Sequence, residues 1–136
     1  MTDHVFTKFP SIFVRLKGRS GAREFNALLD PGLEYCLIPK VDAFALGYQE
    51  AANDDQITPS DNTVTFASYD GYGKAALITM AGVEIGNMSF KNVDFLAFDV
   101  PQVTGFDVVL GQSVLQSTKL ELDYSLRQLK LEKIIE

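Results

Sequence analysis

The chain has 136 residues, 46% of them hydrophobic and 22% charged, with 18 acidic against 12 basic side chains for a formal net charge of -6. That is one ordinary domain over residues 1–136 with enough apolar content for a real core, and no apolar run approaches the roughly 18 to 20 residues that a membrane-spanning helix needs. An acidic surface with no cluster of basic and aromatic residues repels phosphate backbones and anionic lipid, so neither nucleic acid nor membrane is an expected partner.

The dominant period along the chain is two. Ile12, Val14 and Leu16 alternate with Phe13, Arg15 and Lys17, which predicts a half-buried strand. Residues 18–21 read as a turn, and residues 24–29 as a second strand that becomes wholly apolar at Ala27, Leu28 and Leu29, a hairpin feeding a core strand. Residues 35–38 are another short apolar run, stopped by Pro39. Residues 40–46 have helical spacing, and Gly47 stands where a C-terminal cap belongs. From 49 to 62 the composition turns polar, which predicts a peripheral, mobile loop. Residues 63–68 and 74–81 flank Asp70-Gly71-Tyr72-Gly73, and Asp-Gly between two alternating runs signals a hairpin. Further strands are predicted at 83–85, 89–98 and 106–110, then one or two turns of helix over 113–117 after Gly111. A closing hairpin follows, 119–124 with 128–133 around residues 125–127. No domain boundary is visible. The expected class is all-β, a mainly antiparallel barrel or folded sheet with one or two short helices.

Cysteine and histidine counts exclude more chemistry. Cys36 is the only cysteine, so no intrachain disulfide forms, and the absence of a signal-peptide pattern makes a reducing cytoplasm the expected location. His4 is the only histidine. It is expected in a frayed N-terminus, with no partner for a Ser/His/Asp or Cys/His site and no zinc-ligand spacing. Neither GxGxxG nor GxxxxGK[ST] occurs, so no metal and no cofactor are expected. If the chain is an enzyme acting without one, carboxylates must move the protons.

The informative segment runs from Phe25 through Asn-Ala-Leu-Leu to Asp30-Pro31-Gly32, then Leu33-Glu34-Tyr35. It delivers an ionisable Asp30 from a core strand into a tight turn, an expensive placement for a carboxylate with no task. Two readings stay open here. Asp-Pro-Gly is also ordinary turn chemistry, with Asp starting the turn, Pro fixing its φ, and Gly accepting a positive one. A second segment, Phe106-Asp-Val-Val-Leu-Gly111-Gln-Ser-Val-Leu115, has its Gly111 81 positions after Asp30. It reads as an apolar strand ending in glycine and running into a short helix.

Together these two segments resemble the retropepsin-like (retroviral-type, clan AA) aspartic proteases over residues 13–132. In that family an Asp-Thr/Ser-Gly loop follows a hydrophobic strand, a flap hairpin lies mid-chain, and a strand reading roughly Asp-X-X-Leu-Gly packs against the loop before a short helix. The resemblance implies a retropepsin-like acid protease barrel working as a homodimer, and an aspartic endopeptidase acting on polypeptide through two carboxylates. Held about 3 Å apart, such carboxylates share one proton, one serving as base on a water and the other as acid. One Asp-X-Gly per chain, in a chain too short for two lobes, leaves the second Asp30 to a partner about a two-fold axis. By the same resemblance Asp30 is catalytic, and Pro31 and Gly32 complete its loop. Leu33 and Glu34 face substrate, and Tyr69, Gly71, Tyr72 and Gly73 form a closing flap. Asp107 and Gly111 are structural, and Gln112 stands where retroviral members carry an Arg that ties the loop across the dimer.

Pro31 departs from the pattern. The family's Thr or Ser offers a hydroxyl and a backbone N–H that interlock with the partner loop, and proline has neither. Three readings therefore stand: an active homodimeric peptidase, a peptide-binding or dimerisation module of the same fold with little or no catalysis, and an unrelated barrel with a chance Asp-Pro-Gly turn.

Overall fold

The computed structural model describes residues 2–6, 8–51, 63–68, 71–98 and 106–134. The first predicted hairpin is present as β2 (Ser11–Lys17) and β3 (Ala22–Leu29), paired antiparallel with Ser11 opposite Leu28 and Lys17 opposite Ala22. The Gly18 N–H donates to the Gly21 carbonyl at 2.8 Å across the turn. The alternation sorts as the pleat requires: Ile12, Val14 and Leu16 are buried while Phe13 is 75% exposed.

Next come β4 (Cys36–Ile38), α1 (Lys40–Ala45) and a single 3-10 turn at Gln49–Ala51. Gly47 ends the helix as the sequence predicts, at φ +100 with its N–H on the Phe44 carbonyl at 3.0 Å. The helix is amphipathic: Ala43 is buried and Leu46 just beyond it is buried too, while Val41 and Phe44 are exposed. The remainder of the polar stretch predicted to be a mobile loop, residues 52–62, lies outside the described residues.

The second half contributes β5 (Thr63–Ser68), β6 (Gly71–Ile85), β7 (Met88–Ala97), β8 (Val108–Leu110), α2 (Gln112–Leu115), β9 (Thr118–Asp123) and β10 (Gln128–Lys133). Two sequence expectations are corrected. Residues 74–81 and 83–85 are one strand, because β6 pairs with β7 from Ala76 to Ile85 and with β2 at Gly82 and its neighbours. In the mid-chain hairpin Ser68 pairs with Gly71, so Gly71, Tyr72 and Gly73 already belong to β6.

Strands β2, β3, β8, β4, β7 and β6 are neighbours in that order, and a β2–β6 pairing closes the ring into a six-stranded barrel with β5 attached to β6 outside it. Most pairings are antiparallel, as expected. Two are parallel: β3 with β8, and β4 with β7. The barrel core is aliphatic and aromatic, with Leu16, Ile38, Ile78, Met80, Phe95 and Leu110 at 2% exposure or less.

A second sheet, in the order β1-β10-β9, is built from β1 (Thr2–Val5) and the closing hairpin. The N-terminus is therefore not frayed: His4 pairs with Leu129 in β10, and the Phe6 N–H donates to the Arg127 carbonyl at 2.9 Å. Leu129 and Leu131 are fully buried and Phe6 packs edge-on against Tyr124 with ring centroids 5.6 Å apart. That apolar face is what holds β1 down. Among the described residues no helix is long and apolar enough to cross a membrane, and no group of three or more His, Cys, Asp and Glu residues could hold a metal ion.

Candidate active site

Strand β3 ends at Leu29, and its parallel partner β8 ends at Leu110 directly opposite. The apolar segments ending at Leu29 and Leu110 are thus adjacent, and both strands leave the barrel at the same level. The ladder runs one step further, with the Asp30 N–H donating to the Leu110 carbonyl at 2.9 Å. Asp30 is half-buried, at the first position after the core strand.

Residues 30–33 form a four-residue turn closed by the Leu33 N–H on the Asp30 carbonyl at 3.1 Å. Pro31 occupies the second position, where its fixed φ is already the one required. Gly32 is not among the residues with positive φ, which corrects the expectation of a left-handed glycine: a type I turn needs none. Its N–H instead donates to Asp30 Oδ1 at 3.0 Å, so the loop orients its own carboxylate. Asp30 Oδ2 accepts no hydrogen bond among the described residues. Leu33 is half-buried, and Pro31, Gly32 and Glu34 are exposed.

Beneath this turn lies the segment after β8. The Gln112 N–H donates to the Leu33 carbonyl at 2.7 Å and the Ser113 N–H to the Glu34 carbonyl at 3.0 Å. The approach is so close that a Cβ on Gly111 would lie 2.4 Å from the Tyr35 carbonyl oxygen and 2.7 Å from that of Leu33. Glycine is obligatory there for lack of space. Gln112 does tie the active loop, within its own chain: Nε2 donates to the Pro31 carbonyl at 2.9 Å. Proline lost its N–H but kept its oxygen, and that oxygen is the anchor.

Sequence reasoning missed the residues that seat this assembly. The Ser113 hydroxyl donates to the Asp94 carbonyl at 2.7 Å and accepts the Cys36 N–H at 3.1 Å, bridging β7, β4 and α2. Cys36 is fully buried, and its Sγ accepts the Gly111 N–H at 3.3 Å. Burial pushes the Cys36 thiol up, against the opposing pull of its hydrogen bonds to Ser113 and Gly111. The only signals in the sequence were a lone polar residue in an apolar run and a serine one step past a Gly-X pair.

The structure brings Asp30, Pro31, Gly32, Leu33 and Glu34 together with Gly111, Gln112 and Ser113. The mid-chain hairpin is described here only by its backbone pairing, Ser68 with Gly71 through Thr63 with Ala76. Tyr69 and the Tyr72 side chain lie outside the described residues.

A half-exposed carboxylate, held at a strand end by its own loop and underpinned by a glycine-led strand exit, is an arrangement seen in acid proteases. The family model described as Aspartyl protease matches residues 14–114, which takes in both segments. Among solved structures, a retropepsin-like aspartic protease from Rickettsia conorii is similar over 95% of this chain and 98% of that one, with a TM-score of 0.66 at 21% identity, a likeness of fold. No curated protein matches. With the match covering most of the chain and the barrel reproduced, a chance turn in an unrelated barrel is set aside, and the chain belongs to the aspartyl protease family with a retropepsin-like fold.

Proposed function

We propose that the protein is an aspartic endopeptidase that hydrolyses peptide bonds in extended polypeptide through a dyad of two Asp30 carboxylates, one from each copy of a homodimer. The observation that carries this reading is the placement of Asp30: half-buried at a core strand end, with Oδ1 fixed by the Gly32 N–H and Oδ2 left for a partner. Two such groups brought together cannot both ionise comfortably. One deprotonated carboxylate then takes a proton from a water as it attacks the scissile carbonyl, and the protonated one donates to the carbonyl oxygen. No cofactor is required. In this reading Glu34 and Leu33 border the substrate, the hairpin bearing Tyr69, Gly71, Tyr72 and Gly73 closes over it, and the enzyme works in the cytoplasm, where Cys36 stays a thiol.

A second reading, a peptide-binding or dimerisation module without efficient catalysis, is favoured by Pro31, which has no hydroxyl or N–H with which to interlock two loops. The Gln112 tie to the Pro31 carbonyl supports the enzyme, because it orients each loop without help from the partner.

The test is cleavage of an unfolded polypeptide from about pH 3 to 8 by the wild type and by Asp30→Asn, with the dimer dissociation constant measured alongside. The enzyme reading expects an acid optimum, activity that follows the dimer fraction, and no turnover by Asp30→Asn. Undiminished cleavage by Asp30→Asn would eliminate the mechanism. A wild type that dimerises and binds peptide without cleaving it would establish the second reading.

A further inference from the structure

The surface opens into a cavity of about 580 Å³ between β7, α2 with the turn after it, and the end of β10. Phe90 and Val93, both buried, contribute apolar lining, and half-exposed Ile134 adds to it. The polar residues are Lys91, Lys133, Ser117 and Ser113, the last with its hydroxyl already on the Asp94 carbonyl. Among the described residues no carboxylate lines it, in a chain with 18 acidic against 12 basic residues.

The end of β10 is tied to the turn after α2 here, with the Ile134 N–H donating to the Ser117 carbonyl at 2.8 Å. Lys133 is held in place: its Nζ donates to the Ser89 carbonyl at 2.6 Å and lies 5.0 Å from the centre of the Phe90 ring. That leaves two of its three donors uncommitted. Lys17, Arg23 and Lys119 each pair with a carboxylate, but neither Lys91 nor Lys133 is in an ion pair among the described residues. Two ammonium groups with no ion-pair partner among the described residues thus share a concave site that is partly apolar, of a size that takes small molecules.

We propose that this cavity binds a small monocarboxylate with an apolar body, of the kind represented by a medium-chain fatty acid. The carboxylate sits between Lys91 and the pre-positioned Lys133 with Ser117 as a further donor, and the hydrocarbon lies on Phe90, Val93 and Ile134. A charge-assisted contact to two ammonium groups supplies orientation, and the apolar lining selects against a bare anion such as phosphate. Such a ligand would bind whether or not Asp30 is catalytic.

The experiment is a titration of the isotopically labelled protein with octanoate, 1-octanol and inorganic phosphate, followed by amide chemical shifts. Octanoate is expected to saturate with shifts centred on Lys91, Ser117 and Ile134, and to bind about tenfold more tightly than either octanol or phosphate. Lys91→Met and Lys133→Met should each weaken octanoate about tenfold, and added salt should weaken it further. If Lys133→Met fails to fold for want of its Ser89 bond, Lys91→Met and the octanol comparison still decide. The proposal falls if octanoate gives no saturable shifts, if the shifts map elsewhere, if octanol or phosphate binds equally well, or if the folded lysine variants bind as the wild type does.

Discussion

Two glycines belong to the candidate site, and the structure assigns them opposite tolerances. A methyl group at Gly111 would sit 2.4 Å from the Tyr35 oxygen, 2.7 Å from the Leu33 oxygen and 2.9 Å from the Tyr35 carbonyl carbon. All three obstacles are backbone, so the Gly111→Ala variant must drive the active loop off the strand exit by roughly an ångström. Overpacking of this kind costs about 1 to 3 kcal/mol. The displaced loop carries the Leu33 and Glu34 carbonyls that accept the Gln112 and Ser113 N–H groups at 2.7 and 3.0 Å, and losing both bonds adds about 1 to 3 kcal/mol. The expected total, about 2 to 6 kcal/mol, is a large share of the roughly 5 to 15 kcal/mol that holds an ordinary domain folded. At Gly32 a methyl group would meet only Asp30 Oδ1, at 3.2 Å, a side-chain atom that can rotate aside. Gly32→Ala should therefore change stability by less than about 1 kcal/mol, partly offset by the lower entropy of its unfolded chain. Urea unfolding of both variants, with unchanged dependence on denaturant, measures the difference. A Gly111→Ala protein within about 1 kcal/mol of the wild type, or equal costs at the two sites, would refute the claim that the loop is seated by backbone contact at Gly111.

Gln112→Ala removes the amide donor from the Pro31 carbonyl and should cost about 0.5 to 1.5 kcal/mol in the same assay, whereas Gln112→Glu, which turns a second oxygen toward that carbonyl, should cost more. Cys36, buried and with its pKa raised, should resist thiol reagents in the folded protein and label at the rate of unfolding, seen by following modification against urea. Because its folded pKa lies above the ordinary value of 9.0, its contribution to stability is complete below pH 9.0 and lost as the pH rises beyond it. Stability should therefore fall more steeply above pH 9.0 in the wild type than in Cys36→Ala. Pro31→Thr restores a hydroxyl and an N–H to each loop and should tighten self-association and raise peptidase activity, while the freed unfolded chain costs the monomer about 0.4 to 1 kcal/mol. The dissociation constant and thermal midpoint separate the two effects, and no change in dimerisation or activity would show that the Gln112 tie already suffices.

Local order was legible from the residues themselves. The two-residue period of Ile12, Val14 and Leu16, the glycine-flanked turn at 18–21, the helix ended by Gly47, and Asp30 placed at the end of an apolar run all depend on neighbours within a few positions. Side-chain pattern encodes such features directly. The position of Gly111 before a short helix belongs to the same class. Only the tertiary structure decided that β3 and β8 run parallel with Leu29 beside Leu110, that β2 closes on β6, and that β1 is anchored by Leu129 and Leu131. Apolar strands are interchangeable as text, and register is set by which of them fit one core together. The support of the active loop was hidden for a different reason. Gln112, Ser113 and Cys36 act on, or are held by, backbone carbonyl and N–H groups. Every residue carries a carbonyl and all but proline an N–H, so no residue type announces which of them will be near enough to bond.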